Sequence, residues 1–242
     1  MFNRREFLTA SGVGGAALFL GNTSYLNAKT LEKETKSMPE NYNAKDYSSL
    51  IGIDGFSENA LKTHFTLYQG YVKNTNKLVN ALSQILEDGN ISSPEFAGLK
   101  RRLGWEYNGM RLHEYYFENL TKNRTDIGKT LNKRLNDDFG SYSAWEKDFR
   151  AVGGMRGIGW AALYQDTTNG KLVNFWIDEH NTNHLAGGNL ILIMDVFEHA
   201  FMPDYGIKKT DYIEAFFKNI NWSAAESRLA NRPIPAEASM IK

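Results

Sequence analysis

Asp195 and His199 stand four residues apart in Asp195-Val196-Phe197-Glu198-His199-Ala200-Phe201, directly after the apolar run Leu190-Ile191-Leu192-Ile193-Met194. Ionisable groups at the end of a buried strand must be paired, hydrogen-bonded or bound to a metal. Asp oxygen and His nitrogen both suit first-row transition metals. The chain has five histidines, His64, His113, His180, His184 and His199, and no cysteine. Disulfides, thiolate metal sites and cysteine nucleophiles are therefore excluded. His64 lies on the inward face of a helical pattern beside Phe65, Tyr68 and Tyr71, and His113 lies in the aromatic-rich stretch from Trp105 to Phe117. A lone His on an aromatic helix face is more often a hydrogen-bonded core residue than a ligand. The weight rests on the combination of one carboxylate and three imidazoles from three buried elements. Such a donor set with an open position suits iron or manganese redox chemistry, and zinc is chemically possible.

The elements that must carry these residues are legible in the pattern. Of 242 residues 42% are apolar and 13% aromatic, which is globular and enough for one large domain or two small lobes. Lys+Arg and Asp+Glu are equal at 28, so charge supports neither a nucleic-acid partner nor a membrane-surface role. From Ser57, Leu61, His64, Phe65, Tyr68, Tyr71 and Val72 recur at helical steps, and Asp88-Gly89-Asn90 ends the segment. Ser93 as a cap and Pro94 at the first position open a second helix reaching about Leu120. A short connection favours an antiparallel hairpin. Gly128–Asp137 and Tyr142–Val152 read as short helices, and Gly157–Gln165 and Lys171–Ile177 as strands turned by Asn169-Gly170. The run before Asp195 is a third strand; Thr210–Ile220 and Ser223–Leu229 close the chain as helices. The fold class is α+β: a helical hairpin lobe (46–122), then a lobe (123–232) with a three-stranded antiparallel sheet and helices. Residues 29–45 read as a linker and 233–242 as a loose tail.

The N-terminus carries a different signal. Arg4-Arg5-Glu6-Phe7-Leu8 precedes a mildly apolar run, Gly12 to Leu20, too short to span a bilayer comfortably. This pattern resembles a twin-arginine export signal over residues 1–28, with cleavage near Ala28. It implies an exported protein, periplasmic or extracellular, with no membrane association once the signal is removed.

The site motif resembles the signature of the iron/manganese superoxide dismutases, whose usual form has Trp where Phe197 stands. Tyr71-Val72 with Asn76 is similar to the family's first helix, and Asn108-Gly109 through His113 to Phe117 to its second. Gly157-Ile158-Gly159-Trp160 is similar to its first strand, and Asp211-Tyr212 to Asn221-Trp222 to its C-terminal helix. The likeness runs from about Gly55 to Leu229. It implies His64, His113, Asp195 and His199 as ligands of one Fe or Mn ion per subunit, with solvent as the fifth ligand. The implied activity is ping-pong disproportionation of superoxide to dioxygen and hydrogen peroxide. One negative carboxylate and three neutral imidazoles let each electron arrive with a proton, so the buried charge stays constant.

The resemblance also assigns surrounding residues. Tyr71 stands for the gateway tyrosine, with Tyr68 as the alternative. Tyr71 follows His64 by seven residues where the family has eight. Seven residues turn about 700°, about 20° short of two full turns, so a regular helix keeps both on one face. The solvent-contacting residue is His180, by its spacing from Asp195, or else His184. Gly109 occupies the place where many iron enzymes carry Gln. Trp160 and Phe197 belong to the aromatic shell. Glu198 reaches across an interface to the partner's ligand histidine, which implies a homodimer or homotetramer. The family's interface His and Tyr are replaced by Leu67 or Tyr68 and by Met202. Two other readings are another mononuclear non-haem iron oxidoreductase and a non-catalytic metal-binding member of the fold. Three histidines rather than two argue against the first.

Overall fold

In the computed structural model, which describes residues 41–230, two serines open the two longest helices. Ser57 Oγ accepts the Ala60 N–H at 3.1 Å and starts α1, Glu58–Glu87. Ser93 Oγ accepts the Phe96 N–H at 3.1 Å and, with Pro94 at the first position, starts α2, Pro94–Glu118. Both caps satisfy donors that a helix start leaves unpaired. α1 is α-helical over its whole length, with no bulge between His64 and Tyr71. The helices pair antiparallel: Val79 and Leu82 near the end of α1 meet Leu103 near the start of α2, and His64 meets His113 at the other end. The export-signal reading of 1–28, most of the 29–45 linker and the 233–242 tail lie outside the described residues.

Two short helices follow, α3, Lys129–Phe139, and α4, Tyr142–Gly154. The sheet comprises β1, Trp160–Asp166, β2, Leu172–Ile177, and β3, Gly188–Asp195. It is antiparallel in the order β2-β1-β3. The Asn169-Gly170 turn forms as its composition predicts, with Gly170 at φ 73° and the Asp166 N–H donated to Lys171 O at 2.8 Å. β1 begins at Trp160 rather than at Gly157. Gly157 and Gly159 hold φ of 136° and 142°, which side-chain-bearing residues rarely adopt, so the chain turns there before pairing. A Cβ on Gly159 would also collide with the Ile177 carbonyl oxygen.

After β3 comes α5, Glu198–Tyr205, then α6, Lys209–Lys218, and α7, Trp222–Ala230. Pattern alone does not predict α5, because Pro203 lies inside it and removes a backbone donor. The end of α2 is tied to distant parts of the chain. Thr121 N–H donates to Asn219 O at 2.9 Å and Asn221 N–H to Asn119 O at 2.7 Å, around an isolated bridge between Leu120 and Ile220. The buried Asn119 amide donates to Ile193 O of β3 at 2.8 Å, and Arg228 of α7 donates to Ile191 O at 2.9 Å and to the Asn119 side chain. These bonds set α2 against β3 and hence His113 against Asp195. One continuous core runs from Leu61 and Tyr68 through Phe117 and Trp160 to Phe216. No helix among the described residues is long and apolar enough to cross a membrane.

Candidate metal centre

Each of the four side chains is placed by its own element. α1 delivers His64, α2 His113, the last residue of β3 is Asp195, and the first turn of α5 holds His199. Their donor atoms all lie within 4.8 Å of one another. Asp195 Oδ2 is the centre of the group, 3.1 Å from His64 Nε2, 3.2 Å from His199 Nε2 and 3.6 Å from His113 Nε2. Two donors each about 2.1 Å from a shared ion stand about 3.0 Å apart at a right angle and about 3.6 Å apart at 120°. The three Asp195–His spacings match those of donors around one ion.

Other atoms of Asp195 and His113 are held by hydrogen bonds. The Phe197 N–H donates to Asp195 Oδ1 at 2.9 Å and so turns Oδ2 toward the histidines. The Tyr212 hydroxyl donates to the Asp195 carbonyl at 2.5 Å and fixes the strand end. His113 Nδ1–H donates to Gly109 O at 2.6 Å, which leaves Nε2 as the lone-pair nitrogen. That Nε2 is buried and has no hydrogen-bond partner. A buried unpaired acceptor is costly, and a cation at the centre of the four donors relieves it. The donor set of one carboxylate and three imidazoles fits iron or manganese.

Burial alone would raise the Asp195 carboxyl, but His199 and His64 outweigh it and hold it well below the usual range. Burial pushes His64 down and His113 well down, and holds His180 at about 4. His199 is also burdened by burial, yet the Asp195 charge beside it raises it; its side chain is 23% exposed. These shifts predict how the metal-free protein responds to acid. His64, His113 and His180 bind fewer protons folded than unfolded, so their stability contribution is present above the ordinary value of about 6.5 and is lost as pH falls below it. Asp195 acts in the same direction below about 3.9. His199 has the opposite sign: its contribution is present below about 6.5 and lost as pH rises through its folded value. Three against one gives a net loss on acidification. The melting temperature of metal-free protein should fall steadily from pH 7 to pH 4; a flat profile contradicts the assignment.

The structure separates the alternatives around the cluster. Tyr71 stacks on His113, with centroids 5.1 Å apart at 28°, and its hydroxyl lies 2.7 Å from His180 Nε2. Burial and the Asp195 charge hold that hydroxyl at about 12. The Tyr68 hydroxyl instead donates to Glu114 at 3.0 Å and accepts the Lys45 N–H at 3.0 Å. Trp160 Nε1–H donates to His180 Nδ1 at 3.2 Å. Neutral His180 then carries its proton on Nε2 and donates it to the Tyr71 oxygen, which leaves the Tyr71 proton free for another acceptor. His184 turns to the His180 carbonyl at 2.7 Å and the Tyr164 hydroxyl at 3.3 Å, and supports the loop rather than the cluster. Phe197 stacks on His199 at 5.5 Å and 23° and closes the wall with Trp160.

Three contributors are not readable from local spacing. Tyr212 contacts the Asp195 carbonyl from another helix. Tyr116 packs on His64 at 5.3 Å, and Trp105 lies 4.8 Å from the His180 ring. Glu198 is exposed and lines a groove with Met155, Ile158, Met202, Ile207 and Lys209.

Comparison with known proteins points the same way. The profile of the iron/manganese superoxide dismutases, C-terminal domain, matches residues 127–228. A superoxide dismutase [Fe] of Cupriavidus metallidurans is 36% identical over 183 residues, 74% of this chain and 90% of that protein. A superoxide dismutase [Fe] of Saccharolobus solfataricus is 33% identical over 180 residues, 72% and 85% of the two chains. A superoxide dismutase [Mn] of Haloferax volcanii is 35% identical over 166 residues, 68% and 82%. With the four-donor cluster and the α+β fold already described, these likenesses show that the chain belongs to the iron/manganese superoxide dismutases.

Proposed function

We propose that the chain disproportionates superoxide with one iron or manganese ion held by His64, His113, Asp195 and His199. The observation that carries this reading is the buried, unpartnered His113 Nε2 converging with two other imidazoles on one carboxylate oxygen. Held by these four residues, an iron or manganese ion would supply the one-electron redox chemistry by which two superoxide ions and two protons become one dioxygen and one hydrogen peroxide. The protein's part is orientation, exclusion of water and proton supply. Phe197 N–H and Gly109 O orient Asp195 and His113. Trp160, Phe197, Tyr116 and Phe117 wall the site with rings. Tyr71, with its oxygen already accepting from His180, has its hydroxyl proton available for the reduced product. His180 acts through Tyr71, because both its ring nitrogens are engaged. In the test, protein reconstituted with iron or with manganese removes superoxide catalytically, and His199→Ala loses both metal and activity. Fully loaded wild type without activity would sink the reading. Relatives named for either metal match at similar identity, so reconstitution with each ion separately identifies the working one.

The protein is also read as an exported homodimer. For export, support comes from Arg4-Arg5-Glu6-Phe7-Leu8 before the Gly12–Leu20 run, and from a cysteine-free chain that needs no oxidative folding. Replacing Arg4 and Arg5 with lysine should retain the protein in the cytoplasm of a twin-arginine-competent host; unchanged fractionation argues against it. For the dimer, support comes from the exposed Met155, Ile158, Met202 and Ile207, an apolar rim around Glu198. Glu198→Lys is expected to shift the sedimenting species from dimer to monomer, while a monomeric wild type removes the proposal.

A further inference from the structure

We infer that Gly109 is a positioning residue for Tyr71: the missing side chain at 109 is the seat that holds the tyrosine ring over His113 and its hydroxyl against His180. The geometry begins with α1. Because it is a regular helix, Tyr71 sits on the same face as His64, and its ring crosses to α2. There it occupies the volume a side chain at 109 would fill. A Cβ on Gly109 would stand 2.5 Å from Tyr71 Cδ1, 2.7 Å from Cε1 and 2.9 Å from Cγ. Carbon pairs settle at about 3.5–4.0 Å. Cγ is one bond from the tyrosine Cβ, so a swing of the ring's far end cannot clear the overlap; the whole ring must leave. Leaving breaks the 2.7 Å contact with His180 and the stack on His113.

Backbone conformation does not explain the glycine. Gly109 lies inside α2 without positive φ, and there glycine is a poorer helix former than alanine. Nor does His113 require it. The His113 Nδ1–H bond goes to the Gly109 carbonyl, which any residue supplies. What remains is the ring. Tyr71 is one of the residues lining an open cleft with Thr63, Thr66, Gly70, Asn74 and Trp105, and its ring also stacks on His113. A ring expelled from its seat would leave that stack and change what small anions meet beside the cluster.

The access part of this inference rests on the proposed function; the seat itself does not. The test compares full-length, metal-loaded wild type with Gly109→Ala, Tyr71→Ala and the double variant. In the wild-type background Gly109→Ala should lower the melting temperature by at least about 5 °C. In the Tyr71→Ala background the same change should leave it unchanged or raise it, because alanine is the better helix former and nothing is displaced. Metal content should not change in Gly109→Ala. Its azide dissociation constant, read from the metal's absorption band, should rise at least about fivefold, and this rise should be absent between Tyr71→Ala and the double variant. Equal melting shifts in both backgrounds, or no shift and no change in azide affinity in the first, overturn the proposal. A wild type that holds metal but binds no azide counts against the functional reading, while the melting comparison still decides the seat.

Discussion

Asp195→Asn is expected to purify as a folded protein whose metal affinity is at least about a hundredfold weaker than wild type, with activity lost in proportion. The substitution keeps the shape. The amide oxygen can still accept the Phe197 N–H that Oδ1 accepts at 2.9 Å, and the backbone carbonyl still accepts from Tyr212. What disappears is the only negative charge among the four donors, at the point toward which three imidazole nitrogens converge. A cation in a dry site then faces neutral ligands alone, and its charge is no longer offset where the dielectric is low. The amide also has N–H donors that can bond the histidine lone pairs directly, which satisfies the orphaned His113 Nε2 without an ion. That gain is set against the loss of the Asp195 charge, which His199 and His64 favour in the metal-free protein, so the metal-free forms should differ far less in melting temperature than the loaded forms. Elemental analysis with paired melting curves checks both halves. Full metal occupancy in the variant would show that the carboxylate is not a ligand.

The second large effect is structural. Gly159→Ala should destabilise the protein by about 2–5 kcal/mol, from left-handed backbone strain and overpacking together. For a chain of this size that is a fall of about 5–15 °C in melting temperature. The residue holds φ of 142°, and its missing Cβ faces the Ile177 carbonyl at the start of the β1–β2 pairing. Its own carbonyl accepts the Val196 N–H at 3.0 Å, one residue past Asp195. Relief of the clash must therefore move Trp160 away from His180, or Val196 away from the sheet. Either motion reaches the cluster, so metal retention should fall along with stability. A variant that melts within 2 °C of wild type, a shift of less than about 1 kcal/mol, would mean that the turn is softer than its contacts imply.

These cases show which features were legible in the residues. The start of α2 was readable because the Ser93 cap and Pro94 act within three residues of themselves, and that of α1 from the helical recurrence of Leu61, His64, Phe65, Tyr68 and Tyr71. The turn at Asn169-Gly170 was readable for the same reason. The true start of β1 was not, since Gly157 and Gly159 look like ordinary strand interruptions until their backbone angles are known. α5 was hidden by Pro203, whose lost donor is tolerated in a helix of eight residues. At the cluster, residue types suggested a metal and the family likeness supplied its four candidate ligands. The choice between Tyr71 and Tyr68 depended on partners remote in sequence. Glu114 and the Lys45 backbone N–H engage the Tyr68 hydroxyl. His180 was likewise distinguished from His184 by the indole of Trp160, 20 residues away.

The ties at the end of α2 have a consequence for how the molecule comes apart. His64 and Asp195 are 131 residues apart in the chain, and the hairpin can form by local contacts long before β3 and α5 exist. Until the Leu120–Ile220 bridge and the Asn119 bonds close, the cluster is divided into two halves. A metal bound by both halves would therefore act as a clasp between the helical hairpin and the β3–α5 part of the chain, stabilising only the state in which they are joined. Opening either part alone must release it. With metal bound, slow-exchanging amides of α1 and α2 should exchange together with those of β3, in a single cooperative unit. With metal removed, the hairpin and the sheet should acquire separate opening free energies, and the molecule should lose its cooperativity before it loses its helices.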